Sequence, residues 1–281
     1  MIHTPHRMLA GMKKIRFVFL LFITGLSIAI LAGVQFGPDW RTADRSSAGI
    51  APDPSELSEA VVQVYAARAF NWRSLFAVHT WLATKTRGAS EYHVYQVVGW
   101  RKWNGLPVVV REKDIPDRNW FGNPPTILRE LKGADAEAII SSIESAVASY
   151  PYPDTYHIWP GPNSNTFVAH IGRSVPQLQL DLPPTAIGKD FMTRNRFIDT
   201  TPSGHGFQFS FFGIFGGLVS AVEGIEINIL SLNFGLGYTP DTIWPLRLRL
   251  PFFGIITLSS ASRPERLTHN IYTQTTWKCS H

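Results

Sequence analysis

Residues 159–171 read WPGPNSNTFVAHI, and this segment decides how the rest of the fold is interpreted. Its turn-forming residues give way to a helical pattern that begins at about Ser164. Phe167, Val168 and Ile171 follow three, four and seven positions later, so they share one helix face that should pack on a core. The Ser164 side chain would then point inward at the helix start, where free backbone N–H groups can stabilise negative charge.

Ser164 has two interpretations in this segment. In the first, Ser164 or Asn163 is a helix N-cap, which is common after a turn-rich loop. In the second, Ser164 is a nucleophile and needs a base within hydrogen-bonding distance. The candidate base is His79, in FAVHTWLAT, although it can equally be a core-edge histidine bonded to a backbone carbonyl. The candidate that orients His79 is His93 on the next predicted strand, which can also be an ordinary surface residue.

Further residues are candidates for binding a ligand at the same site. They are Asn163, Asn165, His157, Trp159 and Tyr95. The asparagines flank the serine, the histidine and tryptophan lie in the preceding loop, and Tyr95 shares a strand face with His93. The nine histidines of the chain show neither HxH nor HExxH spacing, so we expect no metal and no other cofactor.

The segments before this helix predict an antiparallel sheet with few helices. Short stretches rich in β-branched and aromatic residues predict strands at 61–68, 77–84, 92–98 and 108–111. Apolar residues at helical spacing predict a helix over 136–148, with Asp135 as its N-cap. A shorter helix is expected over 126–131.

The C-terminal third is predicted to be rich in β-strands. Phe207, Phe209 and Phe211 alternate with polar residues, and the same alternation recurs at 225–229 and 246–250. This period is typical of strands with one buried face. The apolar stretch 211–222 is too short to span a membrane, and a buried strand pair is favoured there over a loop resting on the membrane. The fold class expected after the N-terminal helix is therefore α+β.

Residues 17–34 read FVFLLFITGLSIAILAGV and carry no charge. As a helix they would span roughly 27 Å, close to the hydrocarbon thickness of a bilayer. Basic residues lie just before them, which places the N-terminus in the cytoplasm and the bulk of the chain in the periplasm. We therefore expect a single-pass protein of the inner (cytoplasmic) membrane. A signal peptide cleaved near Ala29 is the alternative.

These patterns divide the chain into successive parts. They are a cytoplasmic N-terminus at 1–16, a transmembrane anchor at 17–34, a linker at 35–57, an α+β domain at 58–190 and a β-rich region at 191–281 packed on it. The net charge of +5 is scattered, which argues against nucleic-acid binding. Cys279 is the single cysteine, so a disulfide within the chain is excluded.

Two resemblances add to these expectations. The segments AVHTWLATK, YHVYQVVGW, YHIWPGPNSNTFVAHI and LPPTAIGKDF resemble an uncharacterised bacterial membrane-protein family, a domain of unknown function, over nearly everything after the anchor. That resemblance implies no established activity.

The second resemblance is to circularly permuted papain-like (NlpC-type) proteins. In those proteins a strand histidine comes first, a polar residue follows on the next strand, and the nucleophile lies in N-C-x-x-F-V at a helix start. His79, His93 and residues 163–168 match this order. The chain departs from the pattern at Ser164, where the family has cysteine, and a hydroxyl is a far weaker acid than a thiol.

The resemblance implies a papain-like core and two possible functions. We expect a membrane-anchored envelope protein whose papain-like cleft is non-catalytic. The alternative is a periplasmic serine-dependent hydrolase or acyltransferase that acts on an envelope amide or ester. The expected partners are the lipid bilayer, through residues 17–34, and peptidoglycan, lipid or another envelope protein.

Overall fold

The structure, a computed structural model, describes residues 20–21, 23–25, 39–193, 196–238 and 246–258. These residues form two antiparallel sheets and two α-helices, so the α+β class is confirmed. Most of the predicted anchor lies outside the described residues. Among the residues that are described, no helix has both the length and the apolar character needed to cross a membrane.

The first sheet has five strands in the order β4-β3-β2-β1-β5. The strands are β1 Val61–Arg68, β2 Val78–Lys85, β3 His93–Val97, β4 Val109–Lys113 and β5 Thr126–Lys132. The first four strands lie within two residues of their predicted bounds. The helix predicted over 126–131 is wrong, because β5 pairs with β1 from Val61–Lys132 to Ala66–Thr126 and this tertiary pairing overrides the local helical preference.

Both helices pack on one face of this sheet. Helix α1 is Gly133–Ala148 and helix α2 is Ser164–Ser174, which ends just before Pro176. Ile143 and Phe167 join Leu82 of β2 in the main apolar core. Asp135 is not the N-cap of α1, as predicted, because the helix begins earlier. Asp135 lies instead in the first turn, where a negative charge interacts favourably with the helix dipole.

A second, smaller core covers the opposite face of the first sheet. Tyr65, Trp81 and Val94 pack there with Leu57 from the N-terminal segment. Asp117 fixes that segment by accepting hydrogen bonds from Ser47 Oγ at 2.8 Å and from the N–H of residue 50 at 2.7 Å. The described part of the predicted linker 35–57, which starts at residue 39, therefore packs against the domain.

The second sheet has seven strands in sequential order. They are β6 Ile198–Thr200, β7 Gly206–Phe211, β8 Phe215–Ser220, β9 Gly224–Ile229, β10 Leu232–Tyr238, β11 Leu246–Leu250 and β12 Gly254–Leu258. The predicted alternation is present, but its orientation is reversed: Phe209 and Ile227 are exposed, whereas Gln208 and Glu226 are buried. Within 211–222 the predicted strand pair is present as the end of β7 and β8, but it is only half buried, because Leu218 is buried whereas Phe215 and Val219 are exposed.

Candidate functional site

The start of α2 is an extensively hydrogen-bonded cap. Asn163 is the N-cap residue, and its side-chain oxygen accepts from the N–H groups of Asn165 at 3.0 Å and Thr166 at 3.2 Å. The Thr166 hydroxyl accepts in return from the Asn163 N–H at 3.1 Å, which completes a capping box. Two of the backbone donors that an oxyanion site would use are thus already occupied by Asn163.

The side chains around Ser164 connect the helix to β2 and to the segment after α2. Asn165 donates to the carbonyls of Val78 at 3.0 Å and Ile187 at 2.8 Å, and it accepts from the Thr80 hydroxyl at 2.9 Å. Ser164 is 6% exposed, and its backbone carbonyl lies 3.4 Å from Thr80 Oγ1. The residue of β2 that faces the helix start is therefore Thr80, not His79.

His79 lies on the opposite face of the sheet from Ser164. Side chains alternate along a strand, so His79 shares a face with Trp81, in the smaller core, while Thr80 faces α2. The His79 ring stacks on Trp120 with a centroid separation of 3.6 Å and lies 3.4 Å from Gln96 through Nε2. Burial lowers the pKa of His79 to about 3, against the opposing effect of the Gln96 hydrogen bond. The imidazole is therefore neutral and enclosed by aromatic rings.

The structure does not bring the three predicted catalytic residues together. His93 pairs with Thr84 across β2 and β3, and it alternates along β3 with Gln96, so it points away from His79. Tyr95 shares the helix-facing side with His93 and is fully buried, with its hydroxyl 3.3 Å from Glu144 Oε1. These positions leave His79 without the orienting partner that the sequence predicted.

The two loop candidates lie at the surface. His157 is exposed, and its backbone N–H donates to the Pro162 carbonyl at 2.8 Å. Trp159 is 50% exposed, and its indole N–H donates to the Leu230 carbonyl of the second sheet at 3.4 Å. A groove of about 440 Å³ between the helices is lined by other residues, namely Ser141, Ser142, Ser145, Ala146, Ser149 and Ser174.

The sequence prediction missed a buried ion-pair network where the second sheet meets the rest of the chain. Glu226 lies between Lys189, at 2.6 Å, and Arg249. The Arg249 guanidinium is 0% exposed, donates to the Leu182 carbonyl at 2.7 Å and pairs with Asp181 at 2.8 Å. Burial opposes ionisation of Glu226, but the charges of Arg249 and Lys189 outweigh it and lower the pKa of Glu226.

Gly235 makes the central ion pair of this network possible. It lies on β10 directly between Glu226 of β9 and Arg249 of β11, so it separates the two charged residues in the register. A Cβ at this position would lie 2.7 Å from Glu226 Cγ. The sequence signal for this contact was an acidic residue, Glu226, on β9 and a basic residue, Arg249, on β11, both in register with Gly235 on β10.

Together, the fold and this helix start define an α+β antiparallel-sheet domain with a structurally capped helix. Residues 59–191, just under half of the chain, match the family model described as "Protein of unknown function (DUF3750)". This match to an uncharacterised family confirms the resemblance to a domain of unknown function. No curated protein and no solved structure matches the chain. The papain-like resemblance stays a prediction.

Proposed function

We propose that this chain is a membrane-anchored envelope protein that acts by binding and not by catalysis. The observation that carries the proposal is the placement of His79 and Ser164 on opposite faces of the first sheet. A serine nucleophile needs a base within about 3.2 Å, or one water away. A neutral imidazole stacked between indole rings on the other side of a sheet cannot take the Ser164 proton.

The capped start of α2 supports the same proposal. A developing oxyanion requires N–H groups that are free when the substrate arrives. Asn163 already satisfies those of Asn165 and Thr166, and Gly188 approaches so closely that a Cβ there would lie 2.4 Å from Asn163 Nδ2. In this proposal the chain keeps a papain-like arrangement, with a helix start against a central strand, as a structural element.

The proposed location is the inner membrane, with residues 17–34 as a single-pass anchor and the folded part in the periplasm. The support is the uncharged run of membrane-spanning length preceded by basic residues. Peptidoglycan, lipid or another envelope protein are the proposed partners. Trp103, 87% exposed, and its neighbour Trp100 offer the flat apolar surface that such binding would use.

A serine-reactive fluorophosphonate probe tests the absence of catalysis. The full chain, Ser164→Ala and the matched control Ser142→Ala should all show the same background labelling. The control changes a serine on α1 that is solvent-exposed. Labelling of the full chain that disappears only in Ser164→Ala would establish the alternative, a periplasmic serine-dependent hydrolase or acyltransferase.

The single cysteine tests the location. A membrane-impermeant maleimide should label Cys279 in intact spheroplasts as strongly as in lysed ones, because the C-terminal region is proposed to lie outside the cytoplasm. Labelling only after lysis would contradict this placement.

Sedimentation with peptidoglycan tests the proposed partner. Trp103→Ala should reduce the amount of protein that sediments if the exposed indole binds peptidoglycan.

A further inference from the structure

The outward face of the second sheet is apolar across its width. The outward positions of β7–β10 hold only Phe, Ile, Leu, Val, Tyr and one Gly, and most of the large side chains there are 43% to 59% exposed. One row in register illustrates this pattern: Phe207, Val219, Ile225, Leu236 and Leu248 lie side by side on consecutive strands. We call this surface the outer face.

The inward side of the same strands is polar. Asn228 donates to Asp190 at 3.0 Å, and Gln208 donates to the same carboxylate at 2.6 Å. Glu226 and Arg249 belong to the buried ion-pair network. The sheet thus buries its charges and exposes its hydrocarbon, which is the reverse of a sheet that faces water. The apolar side chains of the outer face therefore have no core within the described residues to join.

The apolar surface continues around one end of the sheet. The hairpin turns there carry Phe212, Leu230 and Phe252, which are 61%, 55% and 45% exposed. All three have positive φ, between 53° and 69°, which is unfavourable for bulky side chains and is normally taken by glycine or asparagine. Phe252 also contacts Phe76 edge-to-face, so the surface extends onto the first sheet's domain.

Among the described residues, no segment covers the outer face, as the exposure of its side chains shows. Five strands spaced about 4.8 Å apart make a face roughly 20 Å wide, and monomers rarely expose apolar patches beyond a few hundred Å². Residues 259–281 are mostly polar. Residues 17–34 are apolar, but one helix is only about 10 Å across and would cover about half of the width.

We propose that the outer face and its apolar hairpin end lie directly on the lipid bilayer, buried at the boundary between headgroups and acyl chains. This inference rests on the membrane location in the proposed function, but not on the absence of catalysis. An anchor at residues 17–34 would hold the domain beside the lipid, so that a weak surface contact becomes an intramolecular one.

A second copy of the chain is the competing occupant. Two such sheets would pack face to face with interdigitating side chains. That arrangement buries the flat face but leaves the aromatic hairpin turns outside the interface, because they lie beyond the strand ends. A fluid lipid surface can contact the face and the turns together, whereas a rigid sheet of the same shape contacts only the face. The continuity of the apolar surface around the sheet end therefore favours lipid.

Depth-dependent fluorescence quenching in vesicles tests this proposal on the full chain. With Cys279→Ser as background, Ile227→Cys and Phe209→Cys each place an environment-sensitive dye on the outer face at exposed positions. Ser142→Cys is the matched control, since residue 142 is an exposed polar position on α1. The proteins are reconstituted into phosphatidylcholine–phosphatidylglycerol vesicles containing lipid with a nitroxide near the headgroup end of the acyl chain. Urea unfolding of each labelled variant checks the fold.

The proposal predicts severalfold stronger quenching at positions 227 and 209 than at 142. Equal, weak quenching at all three positions, in protein that floats with the vesicles, would overturn the lipid contact of the outer face. The same result would agree with the proposed anchor. If a short bis-maleimide then joins two unlabelled Ile227→Cys chains, the occupant is a second copy. Protein that does not float with the vesicles would overturn both this inference and the membrane location.

Discussion

The two sheets of this chain are stabilised by opposite means. The first buries aliphatic and aromatic side chains on both faces, under the helices on one side and under the N-terminal segment on the other. The second buries a charged network on its inner side, and no residue in the described part of the chain covers its apolar side. The same two-residue alternation thus occurs in a sheet with buried apolar side chains and in a sheet with exposed ones. The two sheets are distinguished by where the charged side chains are buried, and not by the alternation itself.

The largest expected effect is on the second sheet. Arg249→Met leaves Glu226 and Asp181 without their buried cation and should cost about 3–5 kcal/mol of unfolding free energy. Arg111→Met is the matched control, because the Arg111–Glu144 pair is half exposed and should change stability by less than about 1 kcal/mol. Urea unfolding in detergent measures both variants, and equal losses would show that the network does not hold the sheet.

The same substitution, made in the core beneath the first sheet and on the second sheet, sharpens the contrast. Ile143→Ala opens a cavity at a fully buried position of α1 and should cost about 2–5 kcal/mol. Ile227→Ala, at a position that is 57% exposed, should cost less than about 1 kcal/mol. The measurement is again the urea unfolding midpoint in detergent. A large loss for Ile227→Ala would mean that the outer face is packed within the folded chain.

A smaller difference is expected at the start of α2. Asn163→Ala removes both hydrogen bonds of the cap and should destabilise the chain by about 1–2 kcal/mol. Ser164→Ala should change the unfolding free energy by no more than about 0.5 kcal/mol if its hydroxyl has no structural or catalytic role. Thermal unfolding compares the two variants, and the reverse order would make Ser164 the more important residue.

A further expected difference between the sheets is their dependence on pH. The pKa of His79 falls from 6.5 to about 3 on folding, so below pH 6.5 the unfolded chain binds a proton that the folded chain does not. Stability should therefore fall as pH falls below 6.5. The Glu226 pKa is also lowered, so its contribution is present above its unfolded value of 4.5 and is lost as pH falls below that value.

Urea midpoints measured between pH 7.5 and pH 3.5 would check both windows. His79→Phe should flatten the profile in the upper window, and Glu226→Gln should flatten it in the lower one. An unchanged slope in His79→Phe would mean that the folded imidazole does titrate in this range.

Much of the fold could be predicted from local patterns. The strands β1–β4 and helix α2 were predictable because their apolar periodicity agrees with their tertiary environment. The strand β5 was not, since ILREL has no β-specific signal and only pairing with β1 makes it extended. Which face of the second sheet points outward depends on where Lys189 and Asp181 meet it, and strand period alone does not contain this information.

The candidate site illustrates the same limit. The capping role of Asn163 was one of the two interpretations that the sequence left open, and the capping box confirms it. Whether His79 or Thr80 faces the helix depends on strand parity relative to α2, and a shift by one residue exchanges the two. Trp120 and Gln96, which enclose His79, come from distant segments with no shared motif, so no local pattern could predict their contact with His79.

The left-handed hairpin turns also bear on protein engineering. A backbone with positive φ is intrinsically easier for asparagine or glycine than for phenylalanine or leucine, by roughly 1 kcal/mol per residue. Replacing Phe212, Leu230 and Phe252 with asparagine or glycine would relieve the backbone strain of three turns. The same replacements would remove three exposed apolar side chains. We therefore expect the triple variant to be more soluble than the parent chain and better suited to crystallisation.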